Sequence, residues 1–271
     1  MNNSIISKNC VIGKNVTIKD GSIIGENVII EEDVYIDYGC IIKDNVHIKR
    51  GTFVGARCIL GEYLVDFFDD MKNKNHPLII GQNSLIRSET IIYGENIIGD
   101  NFQTGHRVTI REKSDIGNNV RIGTLSDIQG HCKIGNYINI HSNVHIGQKS
   151  IIKDYVWIFP YVVLTNDPTP PSEQLLGVTV ESFAVIATMS VILPGVHIYE
   201  DALVAAGATV NKDVPKEVVV AGSPAKPICK VSDIKNKISG EKVYPWRYTF
   251  DRGMPWNNVG YEQWAKNNPY M

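Results

Sequence analysis

An aliphatic side chain recurs at every sixth position of this chain, and that period limits the possible folds more than any other feature. The repeat runs through residues 6–60, 80–164 and 186–210. A period of six is neither the 3.6-residue period of a helix nor the simple alternation of a strand. It is typical of short strands joined by sharp corners and wound into a triangular prism. The sequence therefore predicts an all-β fold of stacked parallel coils.

The other positions of the repeat fit the same geometry. Glycine and asparagine often follow the aliphatic residue, and both tolerate the left-handed backbone of a sharp corner. The position four residues on is small or aliphatic, and it holds four of the five cysteines, Cys10, Cys40, Cys58 and Cys132. We interpret these cysteines as small core residues. The odd total of five cysteines and the absence of CxxC spacing suggest neither a disulfide framework nor a zinc site.

The repeat also predicts the domain organisation. We expect a parallel β-helix of about ten coils over residues 1–227, interrupted by loop excursions at about 62–77 and 165–183. Both excursions leave after the same side of the prism, about 24 Å apart at the spacing of neighbouring strands. Residues 228–271 form a C-terminal tail that we expect to begin with a polar helical stretch, continue irregularly, and cap the last coil or clasp a neighbouring subunit.

Composition narrows the functional classes. The chain has 27 basic and 29 acidic residues and a net charge of −2, whereas nucleic-acid surfaces are normally basic, so no nucleic-acid partner is expected. It contains no signal-peptide pattern and no run of about 18 apolar residues, so we predict a cytoplasmic protein with no membrane association.

Two segments carry a family resemblance. VVLTNDPTPPS at 162–172 and VIATMSVILPGVHIYEDALVAAGATVNKDVPKEVVVAGSPAKPI at 185–228 resemble the C-terminal half of hexapeptide-repeat acyltransferases. The NDPTPPS loop and the YPWRY sequence of the tail are most similar to N-acetyltransferases that act on dTDP-linked amino-deoxysugars, such as the 3-amino-3,6-dideoxyhexose enzymes. The resemblance implies a left-handed β-helix, a homotrimer, acyl-CoA as co-substrate and a nucleotide-linked amino sugar as acceptor. The alternative to a capping or clasping role for the tail is that one of its aromatic side chains helps to enclose a nucleotide base.

The resemblance implies where CoA binds. Relatives hold CoA along the last coils through small residues and a late basic residue. The matching positions here are Ala187, Thr188, Ala205, Ala206, Asn211 and Lys226. Small side chains let pantetheine approach the backbone, and Lys226 provides a point charge for the nucleotide end of CoA. The alternative is that these alanines and glycines only form tight corners.

The catalytic prediction rests on the edge that carries both excursions. His131 precedes Asp167 by two coils on that edge, about 10 Å away. We predict His131 as the base or water-orienting group, and Asn166 or Asp167 as the hydrogen-bonding partner of the amine. Related sugar O-acetyltransferases have their catalytic histidine where this chain has Asp167, and an amine needs less help from a base than a hydroxyl does. His106, on another corner, is the rival base.

Three further residues are candidates for holding the sugar or the diphosphate: Glu95, Arg111 and Glu112. Sugar O-acetylation and a non-catalytic scaffold remain as alternatives. A carbonic-anhydrase-like metal site is disfavoured because the histidines do not repeat in one column, so no metal is expected.

Overall fold

The computed structural model describes residues 4–72 and 76–268. Residues 1–3 of the predicted β-helix, 73–75 of the first predicted excursion and 269–271 of the predicted tail lie outside this description. The described chain forms a left-handed parallel β-helix with three long sheets and few helices, which confirms the predicted fold class.

Each face of the prism is one sheet. Sheet A contains the strands Ile5–Ile6, Ile23–Ile24, Ile41–Ile42, Ile59–Glu62, Ile91–Tyr93, Thr109–Ile110, Asp127–Ile128, His145–Ile146, Val163–Leu164, Val191–Ile192 and Thr209–Val210. Sheet B contains Val11–Ile12, Ile29–Ile30, Val46–Ile48, Leu78–Ile80, Asn96–Ile98, Asp115–Ile116, Lys133–Ile134, Ile151–Ile152, Thr179–Val180 and His197–Ile198. Sheet C contains Thr17–Ile18, Tyr35–Ile36, Phe53–Val54, Leu85–Ile86, Gln103–Thr104, Arg121–Ile122, Asn139–Ile140, Trp157–Ile158, Val185–Ile186, Leu203–Val204, Val218–Ala221 and Lys226–Lys230.

The corners between the sheets are named by the sheets they join. The A–B corner follows each strand of sheet A, the B–C corner each strand of sheet B, and the C–A corner each strand of sheet C. Corner residues repeatedly adopt positive φ, including Asn101 at 56° and His131 at 63°. Asparagine accepts this conformation readily, whereas for the bulky Tyr155 at 63° and Phe183 at 65° it is uncommon.

The coil count is slightly higher than predicted. Within the described residues the three sheets hold 11, 10 and 12 strands, against about ten coils expected. The period resumes at Val180, which pairs in sheet B beside Ile152, and not first at Ile186. Val178 and Val180 are both fully buried, so the second excursion ends before residue 179 and not at 183 as predicted. The chain end also adds a hairpin outside the strict repeat.

The core is the inward-facing column of aliphatic residues. Ile36, Ile48, Ile80 and Ile110 have no exposed surface, and burial of each such side chain contributes roughly 1.5–3 kcal/mol. Cys40, Cys58 and Cys132 are buried in the same core, and Cys10 packs against it, which confirms their role as core residues.

Both excursions leave sheet A at the A–B corner, as predicted. The first contains a short α-helix, Asp66–Asp69, and returns to sheet B at Leu78. The second leaves after Leu164 and returns at Thr179. The rigid coils therefore present two loops on one edge of the prism, five strands of sheet A apart.

The tail lies along the side of the prism. Its first element is the strand Lys226–Lys230, antiparallel to Val218–Ala221, so the expected helical start is wrong. It continues through 3₁₀-helices Val231–Asp233 and Trp246–Tyr248 and ends in the α-helix Tyr261–Asn267.

Aromatic packing fixes the tail to the B–C corner and sheet C. Trp256, with no exposed surface, packs on Tyr155 with ring centroids 5.1 Å apart. The Trp246 indole N–H donates to the Phe183 carbonyl oxygen at 2.9 Å. The bulky residues at positive φ therefore serve as the docking surface of the tail.

Candidate active site

The A–B corner holds most residues predicted for catalysis. Glu95, Glu112, His131 and Asp167 follow strands of sheet A, and the His131 amide donates to the Glu112 carbonyl oxygen at 2.9 Å. His131 is exposed. His106 lies on the C–A corner, so the structure separates the two predicted bases on different edges of the chain.

The Asp167 carboxylate is engaged within its own loop. Ser172 donates to it through its hydroxyl at 2.6 Å and its amide at 2.8 Å, and the Thr169 amide donates at 3.1 Å. These hydrogen bonds hold the pKa of Asp167 below its usual value. The neighbouring Asn166 accepts a hydrogen bond from the Leu176 amide on its carbonyl oxygen, which ties the loop together. Asp167 thus shapes the loop in this conformation.

The residues predicted to hold the sugar or diphosphate form ion pairs. Arg111 Nη2 lies 3.0 Å from Glu112 Oε1. Glu95 lies 3.0 Å from His76 Nδ1 and 3.4 Å from Lys113 Nζ. His76 is nearly buried, so this pair fastens the first excursion to the coil beneath it.

Sheet A carries a histidine–carboxylate pair that lies outside the residues predicted for the site. His145 Nδ1 lies 3.1 Å from Asp127 Oδ2 on neighbouring strands, and Gln129 donates to the same oxygen at 2.6 Å. Burial opposes ionisation of Asp127, but the hydrogen bonds from His145 and Gln129 outweigh it and hold its pKa below the usual value. Such a carboxylate orients a histidine ring.

The residues predicted to bind CoA lie on the last coils but on more than one edge. Ala187, Thr188, Ala205 and Ala206 follow successive strands of sheet C on the C–A corner. The amides of Ala187 and Ala205 donate to the next coil, whereas those of Thr188 and Ala206 donate no hydrogen bond among the described residues.

The other two predicted CoA residues flank this corner. Lys226 begins the second strand of the hairpin formed by Val218–Ala221 and Lys226–Lys230, and the adjacent Ala225 amide donates to the Thr209 carbonyl oxygen. Lys226 is exposed. Asn211 follows Thr209–Val210 on the A–B corner and is exposed as well.

A polar groove runs along the outer face of sheet C, on the side next to the C–A corner. Its volume is about 400 Å³, and Arg252 of the tail forms part of its wall. Arg87 and Arg121 supply two more guanidinium groups, and Gln103 and Asn139 supply amides. Guanidinium groups suit phosphates, and amides suit sugar hydroxyls.

An apolar pocket of about 550 Å³ adjoins the groove. Sheet C supplies Trp157, Phe159 and Val185, and the tail covers them with side chains that include Trp246 and Phe250. His141, Trp157 and Arg252 line both the pocket and the groove, so the two spaces share a mouth.

One column of residues connects these features. The residue directly after each sheet C strand lies one coil, about 4.8 Å, from the next. Along the axis this column reads Arg87, Gly105, Gly123, His141, Phe159, Ala187 and Ala205. The CoA candidates therefore lie at one end, the polar groove at the other, and His141 and Phe159 between them.

His141 was not among the residues predicted for the site. Its ring stacks on Phe159 with centroids 4.7 Å apart and an interplanar angle of 15°. Burial lowers its pKa, which favours the neutral ring that accepts protons. The available signal was a histidine in a column whose other members are mostly glycine or alanine: Gly105, Gly123, Ala187 and Ala205.

Comparison with known proteins identifies acyltransferases as relatives. Residues 3–36 match the profile of the bacterial transferase hexapeptide family (six repeats). The 2,3,4,5-tetrahydropyridine-2,6-dicarboxylate N-acetyltransferase of Staphylococcus aureus (strain JH9) is 36% identical over 95 residues, 35% of this chain and 34% of the relative. The match thus spans about a third of the length of these curated relatives, which are named as N-acetyltransferases.

Two solved structures are similar over most of the chain. The UDP-N-acetylglucosamine O-acyltransferase of Moraxella catarrhalis RH4 has a TM-score of 0.52 and 19% identity, covering 85% of this chain and 74% of that one. The UDP-N-acetylglucosamine acyltransferase of Bacteroides fragilis 9343 has a TM-score of 0.50 and 17% identity, with the same coverage. This chain shares their fold. Its neighbours in sequence and in structure are acyltransferases.

Two features are absent from the described residues. Across 4–72 and 76–268, no group of three or more His, Cys, Asp or Glu side chains is arranged to hold a metal ion. No helix in that part of the chain is long and apolar enough to cross a membrane.

Proposed function

We propose that this protein is an acyl-CoA-dependent N-acyltransferase whose acceptor is the amino group of a nucleotide-linked amino-deoxysugar, with dTDP-linked sugars as first candidates. The supporting observation is the column on the C–A corner. It joins the small residues expected to bind CoA to a neutral histidine and then to an arginine-lined groove. The distance from Ala205 to His141 is three coils, about 14 Å, which suits an extended pantetheine arm.

The acceptor would occupy the groove on sheet C. Arg121 and Arg252 would bind the diphosphate by charge-assisted hydrogen bonds, and Asn139 would contact the sugar. This orientation brings the sugar amine towards His141, where the thioester arrives from the opposite direction. Proximity of the two reactants is itself a large part of catalysis.

The reaction would be direct transfer. The neutral amine attacks the thioester carbonyl carbon, a C–N bond forms, and the C–S bond breaks. His141 accepts the proton that the amine loses and returns it to the departing CoA sulfur, so the products are an amide and free CoA thiol. A neutral histidine suits this role because the acceptor is an amine that is already partly deprotonated near pH 7.

The residues predicted on the A–B corner fit the same proposal if the protein is a homotrimer. In a side-by-side trimer the edge of one subunit faces a neighbour, so His131, Asn166 and Asp167 would approach the acceptor bound to the next chain. Glu95, Arg111 and Glu112 remain predictions for that contact. Comparison of His131→Asn with His141→Asn separates the two bases, since loss of the true base lowers kcat about 10²–10⁴-fold.

The test is a thiol-release assay. Acetyl-CoA and longer acyl-CoAs are each offered with dTDP- and UDP-linked 3-amino and 4-amino sugars, with free galactosides as hydroxyl acceptors. Turnover of a nucleotide amino sugar, with galactosides inert, supports the proposal. CoA binding without turnover on any amine contradicts this choice of acceptor, and absence of CoA binding leaves a non-catalytic scaffold.

Sugar O-acylation is the second candidate, favoured by one observation. The Asp127–His145 pair provides an oriented histidine of the kind that deprotonates a hydroxyl. Turnover of galactosides that is lost in His145→Asn and kept in His141→Asn would select this alternative.

A further inference from the structure

The geometry points to a binding site for the acyl chain in the apolar pocket between sheet C and the tail, and to an acyl group several carbons longer than acetyl. This inference rests on the proposed acyltransferase function. It adds the class of donor: a straight or branched aliphatic acyl-CoA.

The first argument for an acyl-chain site is the position of the pocket. Phe159 and His141 stand where the thioester would arrive, and both line the pocket. A chain attached to the thioester carbonyl would therefore turn from the C–A corner across sheet C and under the tail. The sugar approaches from the other side of His141, through the polar groove, so acyl chain and acceptor do not compete for space.

The second argument, for a chain longer than acetyl, is the size of the pocket. Its volume of about 550 Å³ is typical of sites for whole small molecules. A methyl group would fill only a small part of it. Trp157, Phe159, Val185, Val243 and Phe250 make most of the wall apolar, and burial of a methylene against such a wall is favourable.

The chemistry of the wall distinguishes an acyl chain from a nucleotide base. A base has a polar edge that must be hydrogen-bonded when buried. Two polar groups of this wall are already used internally: the Thr249 hydroxyl donates to the carbonyl oxygens of Val243 and Trp246, and the Trp246 N–H donates to Phe183. The buried Trp157 N–H has no hydrogen-bond partner among the described residues, but one donor does not match the several donors and acceptors on the edge of a base. Arg252 and His141 lie at the mouth that the pocket shares with the groove, and the remaining guanidinium and amide groups line the groove itself.

The test is a chain-length series from acetyl- to decanoyl-CoA with the nucleotide amino sugar that turns over. Each added methylene should raise kcat/KM about fourfold until the pocket is full. Val243→Trp fills the pocket and should abolish this gain while acetyl transfer persists. Ile238→Trp is the matched control, because Ile238 is 99% exposed and lies outside the pocket.

A direct measurement of acyl-CoA binding tests the pocket without depending on turnover. Acyl-CoAs of the same series are titrated against tryptophan fluorescence, since Trp157 and Trp246 line the pocket. Affinity should rise with chain length over that of acetyl-CoA and free CoA. Turnover with acetyl-CoA preferred and longer chains rejected would overturn the acyl pocket and leave the N-acyltransferase function intact.

The remaining outcomes distinguish an acyl chain from the other possible occupants of the pocket. Length-dependent binding without any turnover would support the pocket and contradict the proposed acceptor. Flat affinity across the series would overturn the pocket. A lower assembly mass for Val243→Trp, with the chain-length profile unchanged, would assign this surface to contact with a second copy. Loss of nucleotide binding in that variant, with acyl preference unchanged, would assign it to the base.

Discussion

Removal of Trp256 tests whether the tail docks as a separate unit on the β-helix. Its side chain has no exposed surface and contacts the rings of Tyr155, Trp246, Tyr261 and Trp264, with centroids between 5.1 and 5.9 Å apart. Trp256→Ala leaves a cavity at the centre of this cluster. Such truncations of buried aromatic residues cost about 3–5 kcal/mol.

The loss should fall on the tail alone, because a solenoid coil is stabilised mainly by its nearest neighbours. Weakening of tail docking by about 3–5 kcal/mol raises the population of the undocked tail roughly a hundred- to several-thousand-fold. Hydrogen exchange followed by mass spectrometry measures this directly, as faster exchange of amides from Trp246 to Asn267. Val259→Ala is the matched control, since Val259 lies in the same tail and is 56% exposed.

Two results would refute the reasoning. Acceleration of exchange in the distant strands between Ile24 and Leu60 would mean that tail and coils unfold as one unit. Unchanged exchange in the tail would mean that the aromatic cluster does not hold it, and that docking depends on the terminal hairpin.

Three further predictions concern the groove and the coils. Burial lowers the pKa of His141 from its usual value, so the acid limb of kcat/KM should lie at lower pH than an exposed histidine would give, separate from the limb of the amine near pH 8; His141→Gln should remove the lower limb, and a pH profile that keeps it would exclude this base. Arg121→Gln should raise the KM for the nucleotide sugar about 10- to 150-fold through one lost charged hydrogen bond, whereas the exposed Arg57→Gln should leave it unchanged in the same kinetic assay. A Cβ at Gly81 would overlap the backbone of Gly99 on the next coil, so Gly81→Ala should destabilise the β-helix by about 1–3 kcal/mol; an unchanged midpoint of thermal unfolding would contradict that close approach.

The six-residue period was enough to predict the coils, because the aliphatic side chain of each repeat can be buried only by pointing into the core of the prism. It also placed both excursions on one edge through Leu60 and Leu164, since both lie in strands of sheet A. The restart at Val180 was missed because the excursion ends on a valine-rich segment that resembles the loop before it. A local sequence pattern identifies the register of a repeat less well where the repeat resumes after a loop than where it continues without interruption.

The candidate site was harder to predict because it depends on contacts between distant segments. The repeat showed which residues share a corner, but the groove also needs Arg252 and Phe250, which lie in the aperiodic tail. Nothing in the tail sequence fixes which face it covers. Tyr155 and Phe183, which occupy corner positions normally given to asparagine or glycine, were the signal that the tail docks beside the B–C corner.

The position of the tail on the side of the prism affects the order in which the protein is assembled. Coils can form one after another during synthesis, since each needs only the coil before it. The groove and the pocket, in contrast, acquire their second wall only after the residues around Phe250 have left the ribosome and folded back over coils made much earlier. A nascent chain that stops short of this point would have stacked coils but would lack the tail side of both the groove and the pocket, so any ligand that needs both walls would bind only once synthesis has passed the tail.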